Sequence, residues 1–95
     1  MNNNTYSEEL HNAMKKSLPK AEKLFNDSAM SQFSNTPIND LRKYNMTFGS
    51  LIRLKLLRKS VSYRLFLKNG FTDRDDMSME ILYALHSMHT QGRGK

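Results

Sequence analysis

The last quarter of the chain constrains the fold most strongly, because its apolar residues recur at the spacing of an α-helix. Thr72 or Asp73 is suited to cap that helix, and acidic residues in its first turns complement the positive end of its dipole. Gly92 provides a stop signal. The predicted helix has one apolar face made of Met77, Ile81, Leu82, Leu85 and Met88, and its acidic residues are Asp75, Asp76 and Glu80.

The first part of the chain contains a weaker helix pattern followed by a polar stretch. Thr5 and Glu8 have the spacing of a capping box. We predict that residues 5–27 form one helix kinked near Pro19, or two short helices. Residues 26–35 are rich in Ser, Asn, Asp and Gln, which predicts a loop or linker.

A second start signal follows the polar stretch. Thr36 is suited to cap a helix and Pro37 to occupy its first position. We expect a short helix that ends near Asn45, with an inward face formed by Ile38, Leu41 and Tyr44.

Residues 52–67 fit two patterns. Part of the stretch follows the helical period, but Ile52–Leu56 and Val61–Leu67 alternate with the period of a β-strand. Helices are favoured because Ser60 suits a cap and Asn69-Gly70 suits a left-handed helix stop. The alternative is a β-hairpin with one basic face, although its turn lacks the Asn-Gly or Asp-Gly pair of tight hairpins.

Length and composition predict a single domain of 95 residues that has no cysteine to staple it. The predicted fold is an all-α bundle of four to five helices, and the alternative is α+β with the hairpin at 52–67. The domain is expected to span residues 5–91, with residues 1–4 disordered and residues 92–95 a flexible tail. The polar start and the lack of a long apolar run predict a cytoplasmic protein without a membrane segment, in the host cytoplasm if phage-encoded.

The positive charge of the chain is concentrated in residues 41–72, which contain eight basic and no acidic residues. The whole chain carries a net charge of +6, so the other residues sum to −2. Such a region is expected to attract an anionic partner. The residues predicted to contact nucleic acid or another partner are Arg42, Lys43, Lys55, Arg58, Lys59, Arg64 and Lys68. Five aromatic residues lie among them, but most should be core, so phosphate contact is favoured over base stacking.

No motif predicts catalysis. The chain lacks a nucleophile elbow and a phosphate-binding glycine loop, and Asp75-Asp76 is typical of a helix start. His86 and His89 could share a helix face and bind a metal with His11 or Glu80, but the spacing fixes no third ligand. We therefore predict no enzyme activity, no metal, no cofactor, and solvent-exposed histidines.

Two motifs in the second half give the chain a resemblance to a small uncharacterised family of bacterial and phage-borne proteins. The shared pattern is an aromatic residue and Gly, then Ile-Arg, and later Asp-Asp-x-Ser leading into Ile-Leu. The resemblance covers residues 41–86, and it implies an all-helical fold but no chemistry. The chain departs from the pattern at Leu54-Lys55, where members often have Asn, and at Arg74, where they often have Pro. The matching positions are Tyr44, Phe48, Gly49, Ile52, Arg53, Leu57, Gly70, Asp75, Asp76, Met77, Ser78, Ile81 and Leu82.

The recurrence of the two motifs suggests that their charged residues meet. A guanidinium presents a rigid fork that matches a carboxylate. We expect Arg53 to form a structural ion pair with Asp75 or Asp76 and to tie the middle helix to the last one. The rival interpretation makes Arg53 a ligand-binding residue.

Two functions compete at this stage. The favoured hypothesis is a small non-enzymatic basic binding module, a phage or bacterial accessory protein that contacts RNA or DNA phosphates through residues 42–68. The alternative is an inhibitor or immunity-type protein that docks on an acidic host or toxin protein, since charge steering serves both. A third possibility is a homo-oligomeric structural protein whose charge keeps it in solution.

Overall fold

The structure is a computed structural model that describes residues 6–58 and 60–93, and these residues form six helices and no strand. The helices are α1 (Glu8–Glu22), α2 (Asp27–Asn35), a 3₁₀ helix (Ile38–Tyr44), α3 (Phe48–Leu56), α4 (Val61–Lys68) and α5 (Arg74–Arg93). The all-α prediction is therefore confirmed for the described residues. The predicted number of helices is too low, and the hairpin at 52–67 is wrong because α3 and α4 occupy that stretch.

Helix α5 is the central element, since it packs against α1, α2, α3 and the 3₁₀ helix. Its buried surface is wider than the predicted stripe and includes Ser78, Met79 and His86 as well as the expected apolar residues. A helix enclosed on several sides needs this wider buried arc. The sequence-based face is wrong only at Met88, which is 42% exposed near the end of the helix.

Helix α2 occupies the stretch that the sequence predicts to be a loop, so the linker prediction for residues 26–35 is wrong. The side chain of Asn26 accepts a hydrogen bond from the backbone N–H of Ala29 at 2.7 Å and caps the helix. Phe33 is fully buried and its ring lies against Phe25 and His86. Ala29 and Met30 pack against the core beside it, and these three side chains hold a mainly polar helix in place, which is why the helix signal in the sequence is weak.

Helix α1 is one helix that continues through Pro19, and it begins later than predicted. Ser7, rather than Thr5, caps it by accepting a hydrogen bond from the N–H of Leu10. Pro19 is exposed and is the first residue of the last turn of α1. It has no N–H, so the carbonyl of the residue four positions earlier lacks its helical donor and can bond to water instead. At the other end of the chain, α5 extends to Arg93, so the predicted boundary at residue 91 is short. The disorder and tail predictions for residues 1–4, 94 and 95 lie outside the described residues.

The 3₁₀ helix follows Thr36, but the threonine does not cap it. The Thr36 hydroxyl donates to the Gln32 carbonyl at 2.7 Å and therefore accepts from the Tyr44 hydroxyl at 3.0 Å. Leu41 is buried and Tyr44 half-buried, as predicted, whereas Ile38 is 59% exposed because it is the first residue of the helix, at its outer end.

Helices α1 and α4 pack side by side in antiparallel directions. Asn69, which follows α4, accepts a hydrogen bond from the N–H of Ser7 at 2.8 Å and donates to its hydroxyl. At the other end of the pair, the hydroxyls of Ser17 and Ser62 lie 3.3 Å apart. Ser60 caps α4, and Gly70 has a φ of +96°, which fits the predicted left-handed stop.

Arg53 joins three segments of the chain. Its Nε lies 3.3 Å from the carboxylate of Asp75, and its Nη1 donates to Ser78 at 2.9 Å. It also donates from Nη1 to the side chain of Asn45 and from Nη2 to the Asn45 backbone carbonyl. The Arg53 side chain is 18% exposed and Asp75 is 52% exposed, while Asp76 is exposed and takes no part in the pair.

Gly49 leaves the space that this cluster needs. A Cβ at this position would lie 3.2 Å from Nη1 of Arg53, 3.3 Å from the Asn45 side chain and 3.3 Å from the Tyr44 carbonyl. The three neighbours are held by other bonds or by the backbone, so a methyl group would crowd them.

Replacing Arg53 by Ala should lower the free energy of unfolding by about 2–3 kcal/mol, because the buried hydroxyl of Ser78 and the Asn45 oxygens lose their charged donor. Urea denaturation measures this change. Asp75→Ala should cost about 0.5–1 kcal/mol more than Asp76→Ala, since both residues lie in the first turn of α5 and only Asp75 contacts Arg53. An unchanged stability of Arg53→Ala would refute the architectural role.

Candidate functional site

The predicted partner-binding residues do not all line one depression. Arg42 and Lys43 are exposed on the 3₁₀ helix, and Arg58 is exposed beyond the end of α3. Arg64 and Lys68 are exposed and four residues apart on α4. Lys59 lies outside the described residues. Of the six described cations in the set, Lys55 lines the groove between α1 and α4, and the other five do not line it.

The aromatic residues near these cations are packed into the fold. Phe66 is fully buried, and the Phe48 ring stacks on Phe25 with a centroid separation of 3.8 Å. Tyr44 and Phe71 are half-buried against other rings, and Arg74 lies over the half-buried ring of Tyr63. None of these rings presents an open face of the kind that base stacking requires.

A groove lies between α1 and α4 and has a volume of about 680 Å³. Helix α1 contributes Glu9, Asn12, Ala13, Lys16, Ser17 and Lys20, and the other wall contains Lys55, Leu56, Ser60, Val61, Ser62 and Leu65. We call this depression the basic groove. Its α1 residues follow the spacing of three and four that places them on one face of a helix. The groove forms because Ala13, Ser17 and Ser62 are small where the two helices meet.

The floor of the basic groove combines apolar side chains with the hydroxyls of Ser17, Ser60 and Ser62. Ser17, which is 7% exposed, donates to the Ala13 carbonyl at 3.0 Å and therefore accepts from Ser62. Leu56 and Leu65 are half-buried. The floor thus offers apolar contact area to an occupant, and each of its three hydroxyls already has a hydrogen-bond partner within the fold.

The rim of the basic groove carries an uneven charge. Lys16, Lys20 and Lys55 are exposed, and none of them forms an ion pair within the described part of the chain. Because α4 runs antiparallel to α1 and Ser62 lies level with Ser17, the start of α4 adds its positive dipole near the same lysines. Glu9 lies at the opposite end, about 16 Å from Lys20 along the helix axis.

Two of these three lysines, Lys16 and Lys20, are not among the residues predicted to contact a partner. Lys16 and Lys20 lie outside the acid-free stretch, in a helix that also contains three glutamates. Their spacing of four on one helix face was the available signal. Their meeting with Lys55 depends on how α3 and α4 pack against α1, which no local pattern reports.

Comparison with known proteins gives one match. The family model described as a domain of unknown function, DUF6794, matches residues 8–89. The chain belongs to the DUF6794 family. No curated protein and no solved structure matches it significantly. The expected membership of a small uncharacterised family is confirmed, and the match reaches further toward the N-terminus than residues 41–86. The two motifs that suggested the family stay a prediction.

The histidines of this DUF6794 protein are less exposed than predicted. His86 is 7% exposed and its Nε2–H donates to the Thr36 carbonyl at 2.7 Å. His89 is half-buried, with Nε2 lying 2.9 Å from a carboxylate oxygen of Glu22. The two rings therefore join α5 to α1 and to the residue that follows α2. No group of three potential metal ligands occurs among the described residues.

Within the described chain, none of the DUF6794 helices combines the length and apolar character that membrane crossing requires.

Glu80 is a second electrostatic feature of the DUF6794 fold, outside the groove. Burial raises the pKa of its carboxyl above the ordinary value, and the nearby charge of Asp76 raises this pKa further. The Tyr6 hydroxyl, which donates toward the carboxylate, lowers the Glu80 pKa but does not outweigh burial. Glu80 therefore binds its proton more tightly in the folded state than in the unfolded state.

Glu80→Gln should stabilise the protein at pH 7, because the amide keeps a hydrogen-bond acceptor for Tyr6 and removes a half-buried charge. In the wild type, the folded state holds the Glu80 proton more tightly, so stability should fall as pH rises from about 4.5 through the raised pKa. Thermal unfolding across pH 4–8 should show a flatter profile for the variant. The exposed control Glu8→Gln should keep the wild-type slope, and a slope unchanged in both would contradict the assignment.

The groove lysines should be dispensable for folding. Lys16 and Lys20 repel each other at a spacing of four, so the triple variant Lys16→Gln, Lys20→Gln, Lys55→Gln should change the free energy of unfolding by no more than about 0.5 kcal/mol. At low ionic strength the change should be stabilising, and added salt should remove it. Chemical denaturation at two salt concentrations measures it, and a large loss would assign these lysines to the fold.

Proposed function

We propose that the protein is a small non-enzymatic binding module that docks an acidic protein partner in the basic groove. The observation that carries the proposal is that Lys16, Lys20 and Lys55 line one groove and form no ion pair among the described residues. Like charges kept close together oppose folding slightly, and a complementary partner relieves that repulsion. An inhibitor or immunity-type accessory protein fits this behaviour.

The shape of the groove favours a protein over a nucleic acid. Its floor contains Ala13, Leu56 and Leu65, which offer apolar contacts but no aromatic ring for a base. Its cations are lysines, and the arginines that would form bidentate phosphate contacts lie elsewhere. The nucleic-acid hypothesis stays a prediction, and it needs the scattered cations Arg42, Arg64 and Lys68 to act together.

Two matched variants separate these functions. The groove variant carries Lys16→Glu, Lys20→Glu and Lys55→Glu, and the control variant carries Arg42→Glu, Arg64→Glu and Lys68→Glu, so both lose the same charge. In pull-downs from the native host, the wild type and the control should retain an acidic protein after nuclease treatment, and the groove variant should lose it. Cross-links from that protein should fall on α1 and on the start of α4.

The opposite pattern would overturn the proposal. Capture that disappears with nuclease, together with a shift of RNA or duplex DNA at about 50 mM salt that weakens steeply as salt rises, would favour phosphate binding. Equal losses in the groove and control variants would also refute a role specific to the groove.

A further inference from the structure

One wall of the basic groove is long enough to lie along about three turns of another helix. Its α1 wall follows a single helix face from residue 9 to residue 20, about three turns. Its other wall combines Val61, Ser62 and Leu65 from the first turns of the antiparallel helix α4 with Lys55 and Leu56 from the end of α3. Two helices side by side leave a furrow in which the side chains of a third helix can interdigitate.

The charges along the groove differ between its ends. Lys16, Lys20 and Lys55 lie at the end where α4 begins, and Glu9 lies at the other end. The separation of about 16 Å between Glu9 and Lys20 exceeds a Debye length of about 8 Å at physiological salt. Each end therefore acts on an occupant independently.

We infer that the basic groove accepts an amphipathic partner helix of about three turns whose carboxylates are confined to one end. Carboxylates three or four residues apart meet the lysines, and small or medium apolar side chains cover Ala13 and Leu65. Glu9 is the specificity-determining residue, because it repels acidic side chains at the far end. The inference rests on the proposed function, since it names the partner chemistry of the same groove.

Four synthetic peptides test the inference against the full-length protein. Each has sixteen residues, neutral blocked ends, a cross-link on its outward face that enforces a helix, and one composition with three glutamates on an alanine and leucine background. Two peptides carry the glutamates at the N-terminal or the C-terminal end, and the third divides them between both ends. The fourth is end-loaded, lacks the cross-link, and has a central alanine replaced by proline to block the helix.

One of the end-loaded peptides should bind about tenfold more tightly than the divided peptide at about 150 mM salt, and the proline peptide should bind at least tenfold more weakly than its helical parent. Glu9→Gln should tighten binding of the divided peptide several-fold and leave that of the end-loaded peptide unchanged, because it removes the repulsion at the far end only. Titration calorimetry gives the affinities, and Lys16→Gln with Lys20→Gln should weaken binding of every acidic peptide.

The outcomes test the role of Glu9 and the helical form of the occupant separately from the proposed binding of an acidic partner. Equal affinities of the end-loaded and divided peptides, with no effect of Glu9→Gln, would overturn the role of Glu9 while leaving an acidic partner in place. Equal binding of the proline peptide would show that the occupant of the groove is an extended segment rather than a helix. Binding of no acidic peptide, or binding that survives loss of the groove lysines, would overturn the proposed function itself.

Discussion

The guanidinium of Arg53 is the interaction on which the arrangement of the second half depends. It binds the residue that follows the 3₁₀ helix and two residues in the first turns of α5, while α3 carries it. Arginine suits this role because its donors lie in a fixed plane and point to several acceptors at once. The cluster also explains why a glycine occupies position 49, where a Cβ would crowd the guanidinium. A partly buried charge is tolerated because its donors face oxygen atoms from three directions.

The groove follows from the same packing. Once α5 fills the centre of the fold, α1 and α4 are left to meet each other at its side, joined by Ser7 with Asn69 at one end and by Ser17 with Ser62 at the other. Small side chains at this junction cannot fill the space between the helices, and the lysines above it are held near one another without a counter-charge in the described residues. A groove with an apolar floor and unpaired cations on its rim can bind a partner, and an acidic amphipathic segment would supply both the apolar contacts and the negative charge.

The success of the sequence-based predictions varied with the strength of the local signal. The caps Ser60 and Gly70 and the buried face of α5 were predicted because each rests on short-range backbone chemistry or a long periodic pattern. Helix α2 was missed because only three apolar side chains in a mainly polar segment, Ala29, Met30 and Phe33, pack it against the core. The histidines of α5 were misplaced because their burial depends on Thr36 and Glu22, which lie far away in the sequence.

The sequence by itself favoured the helical class, located both ends of α4 and the start of α5, and fixed the excess of positive charge, since these follow from residue type and spacing. It also indicated that Arg53 would contact the start of the last helix, because the guanidinium fork matches the geometry of the carboxylates at Asp75 and Asp76. Only the tertiary structure decided which cations share a surface. The acid-free stretch contributes Lys55 alone to the groove, and Lys16 and Lys20 join it from α1. The physical reason is that charge is a property of each residue, whereas a binding site depends on how helices distant in sequence pack together.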